Sequence, residues 1–156
     1  MFLILNANQY DKHNVLFSER SENKVINNSD FYRIIYSDEH ASFTGVNIEF
    51  QLHNVSIEKY FNKIKCCMRE GDVLNNEVSN KIKLIEQDIL DKFNILGKSK
   101  TPIMNISTQI NNNFIKIYSN KFITYGPKLT IKLLLKISGV WESENEYGLT
   151  FRFFIS

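Results

Sequence analysis

Leu129-Thr130-Ile131-Lys132-Leu133-Leu134-Leu135-Lys136-Ile137-Ser138-Gly139-Val140-Trp141 is the stretch on which the fold turns. Leu129, Ile131, Leu133, Leu135, Ile137 and Trp141 are expected on one face. Thr130, Lys132, Lys136 and Ser138 are expected on the other. That period of two marks a half-buried strand. The polar turn Glu142-Ser143-Glu144-Asn145-Glu146-Tyr147-Gly148 follows, and Leu149-Thr150-Phe151-Arg152-Phe153-Phe154-Ile155 returns. Two apolar runs around such a turn predict a hairpin.

Working towards the N-terminus, Phe114 to Tyr118 is another candidate strand. Before it lies one clear helix, at about 76–95. Val78, Ile82, Ile85, Ile89 and Phe93 recur at helical spacing. Glu77 and Lys81 form an i,i+4 pair in the favourable order. Asn75 or Asn76 is the expected N-cap, with Gly97 just past the end. Further back, Val46-Asn47-Ile48-Glu49-Phe50-Gln51-Leu52 alternates cleanly. Asn14 to Phe17 and Phe31 to Tyr36 read as short strands, and Lys59 to Met68 leans the same way.

The order is several strands, one helix, then several strands, without a Pro/Gly/Ser linker or an internal repeat. We expect an α+β, β-rich single domain over 1–156, either an OB-like barrel or another sandwich, with one main helix. A chain of 156 residues suits one domain and can bury a full core. The start Met1-Phe2-Leu3-Ile4-Leu5-Asn6 has neither a basic n-region nor the length of a membrane span. Cys66 and Cys67 are adjacent and poorly placed to bridge each other, which points to a reducing, intracellular setting.

A catalytic centre is not legible. His13, His40 and His53 stand at no metal-ligand spacing with Cys or with one another. Cys66-Cys67 lacks the C-x-x-C spacing, and Cys66 reads as a small buried hydrophobe. Asp38-Glu39-His40 reads as a solvated turn. Glu142, Glu144 and Glu146 read as a hairpin tip rather than a calcium loop. No glycine-rich phosphate loop is present. The expectation is a non-enzymatic protein with no cofactor, no metal and no catalytic residues.

Charge is the uneven feature. Net charge is only +2. Yet residues 1–57 hold 4 basic and 7 acidic side chains, while Lys92 to Trp141 holds eight lysines and no Asp or Glu. Phe93, Phe114, Tyr118, Phe122, Tyr125 and Trp141 lie in the same stretch. Lysines neutralise phosphates and aromatic faces stack on bases, so this pairing suits single-stranded nucleic acid. Lys116, Lys132, Lys136 and Arg152 are the candidate phosphate contacts, and Tyr118 and Phe154 the candidate stacking residues. A lysine-rich outer face also keeps a sheet soluble and blunts its edges, so the pattern has a structural reading too.

Asn, Ile, Lys, Phe and Tyr supply 73 of the 156 residues, and all have A/T-rich codons. The run Leu133 to Ser143, above all Ser138-Gly139-Val140-Trp141, followed by Glu146-Tyr147-Gly148-Leu149-Thr150-Phe151-Arg152-Phe153, resembles the end of small proteins of nucleocytoplasmic large DNA viruses, the mimivirus-like giant viruses. Asn28 to Ser37 and Tyr60 to Cys66 look similar to the same group. The Gly-hydrophobic-Trp step and the returning Gly-Leu-Thr-Phe strand are also similar to viral and phage single-stranded DNA-binding proteins of OB fold. The chain ends Phe154-Ile155-Ser156, without the acidic tail common in phage versions. The resemblance implies a viral protein of the host cytoplasm, the viral factory or the virion. It would bind single-stranded DNA or RNA in replication or transcription, with homo-oligomers compatible and no membrane. The alternative is a structural or assembly protein acting through other viral proteins.

Overall fold

The computed structural model describes residues 3–23, 28–61, 63–94, 99–118 and 126–156, with the backbone alone at 126–128. Five strands close into a barrel: β6 (Val46–Tyr60), β7 (Lys63–Cys67), β9 (Phe114–Ile117), β11 (Glu146–Ile155) and β10 (Gly126–Glu142). Around the barrel the order is β6-β7-β9-β11-β10, and β10 pairs back on β6. Numbered along the chain, the barrel strands run 1-2-3-5-4. Every barrel pairing is antiparallel except β9 with β11, which is parallel.

Shorter strands extend this frame. β1 (Ile4–Asn6) lies parallel to β6. β4 (Asp30–Ser37) joins the far end of β10, through Arg33↔Gly139 to Asp30↔Glu142. β2 (Val15–Phe17), β3 (Ser21–Glu22) and β5 (Ser42–Thr44) pair with β4, and β8 (Thr101–Ile103) pairs with the start of β11. Two helices, α1 (Val73–Phe93) and α2 (Asn105–Asn111), lie between the second and third barrel strands in sequence.

The inward set read at Val46–Leu52 holds, with Val46, Ile48, Phe50 and Leu52 buried; on the other face Gln51 is exposed, but Asn47 is buried and donates to the Leu3 carbonyl at 3.4 Å. Asn54 then adopts φ +55°, and the inward set changes parity to Val55 and Ile57. Left-handed backbone is least costly for Asn and Gly among ordinary residues. The kink lets one strand of 15 residues wrap the barrel. Its exposed backbone is satisfied from α1. Asn75 accepts from the His53 N–H at 2.8 Å and donates to the His53 carbonyl at 2.7 Å. Asn75 is therefore a buried strap within the helix and not its cap. Asp72 is the cap, its carboxylate accepting from the Leu74 N–H at 2.9 Å. Gly97, the expected stop, lies outside the described residues.

A second parity change corrects the reading of β10. Leu133, Leu135 and Ile137 face the core as expected. The register then slips between Ile137 and Gly139, a bulge at Ser138. Beyond it Val140 and Glu142 are buried, and Trp141 turns to the outer face. The inward assignment of Trp141 is thus overturned by one inserted residue. Glu142 is not part of an open hairpin tip either. It is buried, with Lys100 Nζ at 3.5 Å and the Tyr32 hydroxyl donating to it at 3.3 Å.

The helices seal one side of the core. Ile82, Ile85, Ile89, Leu90 and Phe93 of α1 are buried, and Phe93 meets Phe17, Tyr32 and Tyr147 edge-on or tilted. Each such side chain contributes about 1.5–3 kcal/mol of burial. The short helix α2 was not foreseen. Its first turn is capped from a distance: the buried Glu86 accepts from the Ile106 and Ser107 N–H groups, each at 2.8 Å, and from the Ser107 hydroxyl at 2.7 Å. No helix among the described residues is long and apolar enough to cross a membrane.

Candidate nucleic-acid interface

The outer surface of the barrel carries a row of cations at one level. Lys65 on β7 stands opposite Lys116 on β9. Ile117 pairs with Phe153, so one residue earlier on these parallel strands Lys116 comes beside Arg152 of β11. Arg152 stands opposite Lys136 of β10. Four positive side chains thus cross four adjacent strands, a span of about 14 Å at ordinary strand spacing. Lys116, Lys136 and Arg152 are exposed, and none of the three has a carboxylate within ion-pair distance among the described residues. Lys65 is flanked by Glu58 at 3.7 Å and lies 5.3 Å from the centre of the Tyr60 ring.

The expected residues fall around this row in different ways. Arg152 lies over the Tyr118 ring, 4.9 Å from its centre, and Tyr118 is 53% exposed. Phe154 is half-buried opposite Leu134, two residues along from Arg152 on the same face. Lys132 also shares that face, but its ammonium is 3.8 Å from Glu49. The hairpin face expected to carry Lys132, Lys136, Arg152 and Phe154 together is present as a surface.

Not every lysine of the Lys92–Trp141 stretch belongs to it. Lys92 donates to the Lys12 carbonyl at 3.0 Å, and Lys100 donates to the Ser143 carbonyl at 2.7 Å beside Glu142. These two tie the fold together. Lys98, Lys121, Phe122 and Tyr125 lie outside the described residues, as does the side chain of Lys128. Phe93 is core.

Next to the row, across β4, β10 and β11, lies a groove of about 580 Å³. Its floor depends on two glycines. A Cβ on Gly139 would sit 2.5 Å from the Phe31 ring, and one on Gly148 would sit 2.9 Å from the Trp141 ring. Without side chains there, both rings pack close against the glycine backbone. Phe31, Trp141 and Gly148 form one rung; Arg33, Gly139 and Thr150 form the next. The Arg33 guanidinium is 5.9 Å from the Phe31 ring centre. Arg152 and Tyr118 close the side nearest the cation row.

Arg33, Phe31, Lys65 and Trp141 were missed or misplaced from sequence. Ser138-Gly139 ahead of Trp141 was the available signal for the bulge. The other three depend on which strands lie side by side.

Elsewhere several polar groups are tied up within the fold. A cleft of about 370 Å³ near Asn8 contains the pairs Glu77–Lys81 and Glu49–Lys132. Asp38 accepts from the His40 and Ala41 N–H groups at 2.8 and 2.9 Å, a closed turn. Among the described residues no three His, Cys, Asp or Glu converge as metal ligands would. Burial pushes the Cys66 thiol up to about 12, which keeps it protonated and unreactive near neutrality. Compared with known proteins, the chain matches no family model, no curated protein and no solved structure.

Proposed function

We propose that this protein is a non-enzymatic module that binds single-stranded nucleic acid on the outside of an OB-like barrel, as a replication or transcription accessory of a large DNA virus. The closed five-strand barrel supports the OB-like part: its strand order is 1-2-3-5-4, with a parallel pair between third and fifth. The position of α1, between the second and third strands, departs from the OB arrangement with a helix between third and fourth.

The observation that carries the reading is the row Lys65–Lys116–Arg152–Lys136. Like charges directly opposite on a sheet destabilise it. A surface needing only solubility would intersperse signs, as the neighbouring pair Glu49–Lys132 does; of the row only Lys65 has such a carboxylate, Glu58, among the described residues. A row of cations is complementary to a phosphate backbone, and the Tyr118 ring beneath Arg152 offers a stacking face. Arginine and lysine contacts to phosphate require no particular base, so binding should tolerate sequence.

The test is fluorescence anisotropy of labelled oligo-dT and oligo-U, titrated at several salt concentrations. Four phosphate contacts give a log–log salt slope of about −3, at about 0.7 per contact on a single strand. Lys116→Glu with Lys136→Glu should abolish binding while the protein stays folded by circular dichroism. No binding to either oligomer at low salt overturns the reading, and a viral protein partner then becomes the reading to pursue.

A further inference from the structure

We propose that the groove across β4, β10 and β11 holds one nucleotide unit of the bound strand, with its base on the Phe31 and Trp141 rings and its two phosphates at Arg33 and Arg152. This rests on the nucleic-acid reading above and goes beyond it in assigning a subsite and a stoichiometry of charge.

The groove has the size of a small-ligand site, about 580 Å³. Its floor carries two aromatic rings, Phe31 against Gly139 and Trp141 against Gly148, each in space that a Cβ would take. A planar base gains stacking energy on such a floor without sequence preference. The two guanidiniums come from the two outer strands of the groove, both displaced to the same side of the Phe31–Trp141 rung. Arg33 is on β4 and Arg152 on β11, two strand spacings apart and one side-chain step along, about 12 Å between Cα atoms. One cation would suit a mononucleotide. Two cations on the two flanking strands of one groove suit a nucleotide inside a chain, which has two phosphates to place.

Among the described residues neither Arg33 nor Arg152 pairs with a carboxylate. At the β3 end Ser21 stands opposite Phe31 and Glu22 opposite Asp30, and both line the groove, so one carboxylate stands at that end. A guanidinium resting on an aromatic ring is held in place and still presents its N–H fork outward, the geometry that phosphate recognition uses.

Trp141 is the one tryptophan of the chain, so its emission reports on this groove. The experiment titrates the full chain with thymidine 3′,5′-bisphosphate, with each thymidine monophosphate, and with oligo-dT, following Trp141 emission. Oligo-dT anisotropy is recorded in parallel. The bisphosphate should quench Trp141 and bind about ten-fold more tightly than either monophosphate. Arg33→Ala and Arg152→Ala, each on the surface, should reduce the bisphosphate to monophosphate affinity. Oligo-dT that binds by anisotropy but leaves Trp141 unchanged overturns the subsite and leaves the cation row standing. So does a bisphosphate no tighter than the monophosphates. Absence of oligo-dT binding by anisotropy overturns both readings. Quenching by a peptide, with none by the bisphosphate, overturns the subsite in favour of a protein segment.

Discussion

Lys136 and Arg152 face each other across the antiparallel ladder of β10 and β11, two cations on one rung of the barrel's outer face. Neither is balanced by a nearby carboxylate among the described residues, and Lys116 and Lys65 continue the line on the next two strands. The arrangement works against the stability of the sheet. It is intelligible where a polyanion supplies the missing negative charge.

Stability and binding should therefore move in opposite directions here. Lys136→Thr removes a like-charge neighbour from Arg152 and places a good strand former on the surface. It should raise the urea midpoint by the equivalent of about 0.5 kcal/mol. The same substitution should weaken oligo-dT binding several-fold and reduce the salt slope by about 0.7. A variant that loses stability and binding together would show that Lys136 serves the fold.

Gly139 should tolerate no side chain. Its Cβ would meet the Tyr32 carbonyl at 2.3 Å as well as the Phe31 ring, and the carbonyl is backbone that cannot swing aside. Gly139→Ala should cost about 1–3 kcal/mol, the range for forced overpacking. Gly148→Ala meets the Trp141 ring at 2.9 Å and the Ile103 carbonyl at 3.0 Å. It should lift the indole off the sheet and red-shift its emission. Thermal unfolding followed by fluorescence checks both, and an unchanged spectrum for Gly148→Ala would mean the ring does not rest there.

Much of this architecture was legible locally. The alternation at Val46–Leu52, the helical spacing from Val78 to Phe93 and the hairpin of β10 and β11 follow from side-chain periodicity alone. What was hidden is non-local or depends on single inserted residues. Asn54 and Ser138 each reverse the parity of a strand, and the second moved Trp141 from the expected core to the groove. Lys116, Lys136 and Arg152 were readable as outward cations. Their alignment into a row with Lys65 depends on strand order, which no local pattern encodes. Arg33 and Phe31 reach the groove only because β4 docks on β10, a pairing of segments about a hundred residues apart. Helix α2 lacks a cap in its own sequence, since Glu86 supplies it from 20 residues upstream.

That remote cap should be expensive to remove. Glu86 is fully buried and accepts three hydrogen bonds at the start of α2. Glu86→Ala strands two backbone N–H groups and a hydroxyl and leaves a cavity between the helices. Bonds to a charged acceptor contribute about 1.5–3 kcal/mol each, so a loss of at least about 3 kcal/mol is expected. Glu86→Gln keeps the shape and one acceptor oxygen and should lose less. Urea denaturation orders the three proteins; equal stability of the alanine and glutamine variants would mean that the carboxylate's acceptors contribute little.

The alkaline limit of the fold should be set in part by Cys66. Burial, with a smaller push from Cys67, raises its thiol from the ordinary 9.0 to about 12. The sign follows from linkage. Below pH 9 the thiol is protonated in both folded and unfolded chains, and its contribution is fully present. Between about 9 and 12 the unfolded chain loses the proton while the folded chain retains it. Stability should therefore fall with rising pH across that window, by about 1.4 kcal/mol per pH unit for one proton. Tyr10 and Tyr147 are also raised by burial and add to the fall from about pH 10 upwards. Cys66→Ala separates the contributions. It should lower stability at pH 7, because a buried side chain is truncated. Its stability should also decline less steeply than the parent's from pH 9 to 10.5, measured by urea unfolding. Parallel curves would show that the thiol is not shielded in the folded barrel.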